Sequence, residues 1–94
     1  MNHELKTISP YFESVQSGDK TFEIRYDTDR NFQRGDTVMI RHYDRVSGYI
    51  SASKPIELVI TYVTHFEQKP GWCVFGFVRI TDATKRSSEN GWPA

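Results

Sequence analysis

The stretch GDKTFEIRY, residues 18–26, alternates without interruption, with Phe22 and Ile24 on one side and Thr21, Glu23 and Arg25 on the other. A period of two is the signature of a half-buried strand. It assigns Phe22 and Ile24 to a core face and sets a hydroxyl, a carboxylate and a guanidinium side by side on the opposite face, at roughly 7 Å intervals. Lys20 stands at the strand entrance, just after Gly18. Such a strand needs a sheet to bury one face, and either solvent or a ligand to meet the other.

Upstream, ISPYFESVQSGDK (residues 8–20) has the signals of a short helix. Ser9 is the expected N-cap, Pro10 takes the first helical position where its missing N–H costs nothing, and Gly18 ends the helix. Tyr11, Phe12, Val15 and Gln16 fall at helical spacing and form the expected inward stripe, while Glu13 in the first turn suits the helix dipole. His3 to Ile8 form a first strand. Downstream, DTDRNFQRGD reads as a solvated turn that opens the strand TVMIRHY, with Val38, Ile40 and His42 on one side and Met39, Arg41 and Tyr43 on the other.

DRVSGYISASKP is expected to be an extended hairpin loop. IELVITYVTHF is β-branched on both faces, so it is a central strand. EQKPGW turns into the last strand, WCVFGFVRIT, where Gly76 suggests a bulge or a close backbone approach. The fold class is therefore α+β: five to six mostly antiparallel strands in a small, strongly curved sheet or β-barrel, with one short helix near the N-terminus against an opening. The domain spans residues 1–82. Residues 83–94 form a polar tail that includes Trp92.

Ninety-four residues amount to a single domain. Six Phe, five Tyr and two Trp provide enough apolar bulk for a core without staples. Twelve Lys and Arg balance twelve Asp and Glu, which argues against broad coating of duplex DNA, a function that draws its affinity from excess positive charge. A pocket for one nucleotide needs only a few local charges. Cys73 is the single cysteine, so no intrachain disulfide forms; in its apolar run it is expected to be a buried thiol. No leader pattern and no apolar run of about 18 residues is present, so the expectation is a cytoplasmic protein with no membrane association.

Three histidines, His3, His42 and His65, are too scattered to suggest a metal site. Gly-x-Ser-x-Gly and phosphate-loop spacings are absent, and no cofactor is expected. What remains is GDKTFEIR. Its carboxylate can accept from an exocyclic amine while Arg25 grips an anion in a fork. The plainer alternative is a surface ion pair between Glu23 and Arg25, worth about 0–1 kcal/mol.

HELKTISPYFESVQSGDKTFEIRYDTDRNFQRGDTVMIR (residues 3–41) resembles a small bacterial and phage family of unknown function, DUF3850-like, within the ASCH domains, which are themselves similar to the PUA fold. The likeness rests on the helix, the pattern G-x-K-T-x-E-x-R and an Arg34-Gly35-Asp36 turn opening a strand, and it continues through ELVITYV to WCVFGFVRI. It implies a small β-barrel with a cleft beside the helix, lined at Lys20, Thr21, Glu23 and Arg25. It also implies RNA or a nucleotide-like ligand. Some ASCH proteins are amidohydrolases that deacylate a modified cytidine with a Lys, a nucleophilic Thr and a Glu. Here Lys20 keeps its place, Glu23 stands where the nucleophile would be, Thr21 is the neighbouring hydroxyl, and Glu67 is the candidate for the later Glu.

Three readings follow. In the first, the chain is an RNA- or nucleotide-binding module, with Lys20 and Arg25 on phosphate or base acceptors, Glu23 on an amine, Arg41 on phosphate, and Tyr11 and Tyr43 as stacking candidates. In the second it is a small amidohydrolase using Lys20, Thr21 and Glu23. In the third it is a phage-type interaction or inhibitor protein with a protein partner.

Overall fold

The computed structural model describes residues 1–27 and 29–80; the tail with Trp92 lies outside them. The β-branched segment forms β5 (Ile56–Thr64) at the middle of the sheet. Around it run β1 (Asn2–Thr7), β2 (Phe22–Tyr26), β3 (Thr37–Asp44) and β6 (Trp72–Arg79), in the order β1-β3-β5-β6-β2. The pairings along this path are antiparallel except β1 with β3, which is parallel. The hairpin expected to be a loop carries a two-residue strand, β4 (Gly48–Tyr49), on β3. Its tip is tied by the Asp44 carboxylate, which accepts the N–H groups of Val46 and Ser47 at 2.8 and 3.0 Å.

The sheet curls but does not close into the expected barrel: β1 and β2 are the two ends of the path and share no ladder. The inward face of the sheet is mostly apolar along β1, β3, β5 and β6. Leu5, Val38, Ile40, Ile56, Leu58, Ile60, Cys73, Phe75 and Phe77 are buried there, and Phe32 joins them from the loop before β3. Full burial of each large side chain is worth about 1.5–3 kcal/mol. In β5 the alternation slips by one residue between Ile60 and Tyr62, opposite Phe77 and Gly76. The irregularity suggested by Gly76 thus sits on the facing strand, and it turns Tyr62 outward to 65% exposure.

The helix α1 (Tyr11–Ser17) buries Phe12 and Val15, whereas Tyr11 and Gln16 stay exposed. Gly18 ends it with φ +87°, its N–H on the Val15 carbonyl at 3.1 Å. That left-handed conformation is the reason for glycine there. Ser9 does not cap the backbone. Its hydroxyl donates to Glu13 Oε2 and pairs with His42 Nε2, both at 2.8 Å. His42 in turn stacks on Phe12 with centroids 4.5 Å apart and meets Ser53 Oγ through Nδ1 at 2.7 Å. One imidazole therefore fastens the helix and the loop after β4 to β3.

The turn at residues 27–36 is more than a solvated connection. Asp36 is buried and gathers three donors: His3 Nε2 at 2.8 Å, the Gln33 N–H at 3.0 Å and the N-terminal amine at 3.2 Å. Burial pushes its carboxyl up, but the hydrogen bonds and the nearby positive amine outweigh it and hold the pKa below its ordinary 3.8. A carboxyl depressed in the folded state contributes stability that is complete above its unfolded pKa and disappears as pH falls through the folded one. Urea titrations at pH 7 and pH 3 should thus show a larger acid loss in the wild type than in Asp36→Asn. The variant should also cost about 2 kcal/mol at pH 7, typical of hydrogen bonds to a charged group. Equal acid losses in the two proteins would refute this account.

Candidate binding cleft

Between the two unpaired ends of the sheet lies a cleft of about 1060 Å³. β1 supplies Glu4 to Thr7 as one wall, β2 supplies Phe22 to Tyr26 as the other, and Ile8, Tyr11, Lys20, Arg30, Phe32, Arg45, Tyr49 and Trp72 also line it. Arginine side chains span the gap where a ladder would close a barrel. Arg25 Nη2 donates to the Lys6 carbonyl at 3.2 Å and to Thr7 Oγ1 at 3.1 Å. Arg30 Nη1 donates to the Glu4 carbonyl at 2.8 Å. Arg30 reaches it because the Asp27 carboxylate accepts the N–H groups of Arg30, Asn31 and Phe32 at 2.8–3.1 Å and folds the loop inward.

The alternation expected for β2 is present, with its faces inverted. Phe22 and Ile24 are 44% and 52% exposed, and Glu23 is the buried residue at 2%. β2 is the last strand of an open sheet, so its inner face meets the polar cleft instead of more core. Glu23 is held there by two cations. Its Oε1 accepts from Arg25 Nη2 at 2.7 Å and Nε at 3.1 Å, and Oε2 accepts from Lys20 Nζ. The Lys20 and Arg25 side chains keep 20% and 25% exposure, so the carboxylate is an anchor and the cations face the cleft. The surface ion pair considered from sequence is, in the structure, a largely buried triad.

Lys20, Glu23, Arg25 and Tyr11 are thus brought together, and Lys20 Nζ lies 5.0 Å from the Tyr11 ring centroid. Thr21 is not among the cleft-lining residues; it is exposed, and its carbonyl takes the Phe77 N–H at 3.1 Å. Arg41 also lies off the cleft, with Nε on Glu4 Oε1 at 2.7 Å. Tyr43 is not among the lining residues; it is edge-on to Tyr49 with centroids 5.3 Å apart, and Lys6 Nζ sits 4.7 Å over its ring. Glu67 is exposed on the turn after β5 and does not line the cleft.

Sequence reasoning missed Lys6, Arg30, Arg45 and the Tyr26–Trp72 pair, whose rings are 5.6 Å apart. Lys6 had a faint signal as the polar face of β1. Arg30 and Arg45 sit in turns, where no periodicity marks direction. With them, the described residues of the lining hold the five cations Lys6, Lys20, Arg25, Arg30 and Arg45 against the two carboxylates Glu4 and Glu23. In a protein of zero net charge, this concentrates positive potential in one concave place. The structure also brings His65, which in sequence had no ligand neighbour, beside Asp27 and Cys73. No helix among the described residues is long and apolar enough to cross a membrane.

A family model described as "Domain of unknown function (DUF3850)" matches residues 2–77. An uncharacterized 12.9 kDa protein in the GpA 3' region of Escherichia phage P2 is 40% identical over 62 residues, which is 66% of this chain and 53% of that protein. The chain therefore spans about half the length of this relative.

Proposed function

Because the chain belongs to the DUF3850 family, whose description assigns no activity, we propose a function from the site itself: the cleft binds a nucleotide unit, free or exposed within single-stranded RNA. The observation that carries this reading is the excess of cations lining a concave site in a chain without net charge. Exposed rings at Tyr11, Tyr26 and Trp72 line the same cleft and offer π-faces to a base. Stacking of one base on such a ring is worth about 1–3 kcal/mol. The resemblance of G-x-K-T-x-E-x-R to the motif of ASCH and PUA-like modules points the same way, and a cytoplasmic location suits such a ligand.

Lys20 and Arg25 grip phosphate or base acceptors, oriented by Glu23. Lys6 and Arg45 extend the positive wall for a further phosphate. The amidohydrolase reading has less support, since Glu23 stands at the nucleophile's position and Thr21 lies off the cleft.

The test is fluorescence anisotropy with labelled oligoribonucleotides at several salt concentrations, alongside calorimetry with mononucleotides and chromatography of N4-acetylcytidine. Lys6→Ala and Arg45→Ala should each weaken oligonucleotide binding and lower the salt slope by about 0.7, the contribution of one phosphate contact on a single strand. Lys69→Ala, exposed and off the cleft, should change neither. Mononucleotide binding with little salt dependence would restrict the ligand to a free nucleotide. Deacylation lost in Lys20→Ala would replace the binding reading with the hydrolase. Equal effects of the Lys69 and Lys6 variants, or no binding of either ligand, would end it.

A further inference from the structure

Away from the cleft, three adjacent strands bring different donors to one point. Cys73 on β6 has Arg25 of β2 as one cross-strand partner. On its other side the β5–β6 ladder ends at Thr64 and Val74, so the next residue, His65, comes up opposite Cys73. Asp27 follows β2 directly and is tied to the start of β6 by its N–H on the Gly71 carbonyl at 2.6 Å. The ligating atoms of Asp27, His65 and Cys73 consequently lie within 4.8 Å of one another. We propose that these three side chains form a binding site for one divalent transition-metal ion of the zinc type.

The donor chemistry selects the ion. A thiolate and an imidazole exclude the hard cations magnesium and calcium, while a sulfur, nitrogen and oxygen set suits zinc or its spectroscopic substitute cobalt. Metal–ligand bonds of about 2.0–2.3 Å in a tetrahedron put donors roughly 3.5 Å apart, so the three need only a small contraction. Two of them are fixed: Asp27 by the three backbone N–H groups it accepts, and Cys73 by complete burial. His65 is the adjustable one, exposed on a turn and without a side-chain hydrogen bond among the described residues. A thiolate and a carboxylate neutralise the divalent charge, and the exposed side at His65 leaves the fourth position to water.

None of the three residues lines the cleft, so the ion would brace the ends of β2, β5 and β6 from outside the binding site.

The reduced, metal-free full chain should be titrated with Co²⁺ and followed by absorbance. One equivalent should produce the near-ultraviolet thiolate charge-transfer band together with visible bands of a four-coordinate ion, and Zn²⁺ should displace it. His65→Ala changes an exposed turn residue and leaves the fold intact. It should weaken binding by at least about a hundredfold, beyond the usual effect of losing an outer-shell partner. Cys73→Ser, checked by circular dichroism for folding, should lose the charge-transfer band. No spectrum up to millimolar Co²⁺, binding without the thiolate band, or unchanged affinity in His65→Ala would each overturn the site.

Discussion

Arg25→Met is expected to lower unfolding stability by about 3 kcal/mol, the lower end of the roughly 3–5 kcal/mol lost when one partner of a buried ion pair is removed. Glu23 is 2% exposed, and both of its oxygens are engaged, Oε1 by Arg25 and Oε2 by Lys20. Methionine preserves most of the packed stem but leaves Oε1 with no donor. It also removes the bonds from Arg25 to the Lys6 carbonyl and Thr7 Oγ1 that join the two unpaired edges. Lys20 keeps its hold on the carboxylate, and that is why the lower end applies. Arg25→Lys should recover part of the loss, because an ammonium can still reach Glu23 but lacks the fork to bridge to β1. Adding Glu23→Gln to Arg25→Met should be less damaging than the sum of the two single changes, since it removes the stranded charge. Urea unfolding at pH 7 measures the wild type and all four variants. A loss below about 1 kcal/mol in Arg25→Met would mean that the carboxylate is solvated and the triad is not holding the cleft together.

The second large effect belongs to the core beneath the cleft wall. Phe75 is fully buried, tilted against Phe32 and Phe77 with centroids 4.9 and 6.4 Å away, and paired across the ladder with Glu23. Phe75→Ala should cost about 3–5 kcal/mol through lost burial and the cavity left behind. That is a large share of the ~5–15 kcal/mol that holds a small domain folded. At about 4–8 °C per kcal/mol for a domain of this size, the Tm should fall by roughly 12–40 °C. Phe22→Ala and Ile24→Ala, whose side chains are 44% and 52% exposed, should each cost less than about 1 kcal/mol. Had these two residues formed the core face that the alternation suggests, the order would be reversed. Thermal unfolding of the three variants therefore tests directly which face of β2 is inside.

Most of the element order was legible because it rests on local physics. The alternation of residues 21–25, the stop at Gly18 and the β-branched run of β5 each act over a few residues, and each produced the expected element. The spacing that marked Lys20, Glu23 and Arg25 as one group is likewise local, and the structure brings the three together. Ser9 failed as a cap for a tertiary reason: His42, thirty-three residues away, and Glu13 claim its hydroxyl.

A period of two distinguishes the faces of a strand but does not say which one is inside, and a shift of one residue exchanges them. For β2 the choice depended on its position at the end of an open sheet, where the inner face meets β1 across a gap. This made Glu23 a buried anchor and exposed Phe22 and Ile24. The same gap drew in Lys6, Arg30 and Arg45, which no pattern in the chain connects, and left Thr21 and Arg41 outside. Local pattern in the sequence determined the strands, the helix and the charged motif. Tertiary packing alone decided the inside of β2 and the residues that meet across the cleft, because burial and convergence depend on strand order, and strand order is set by contacts between distant parts of the chain.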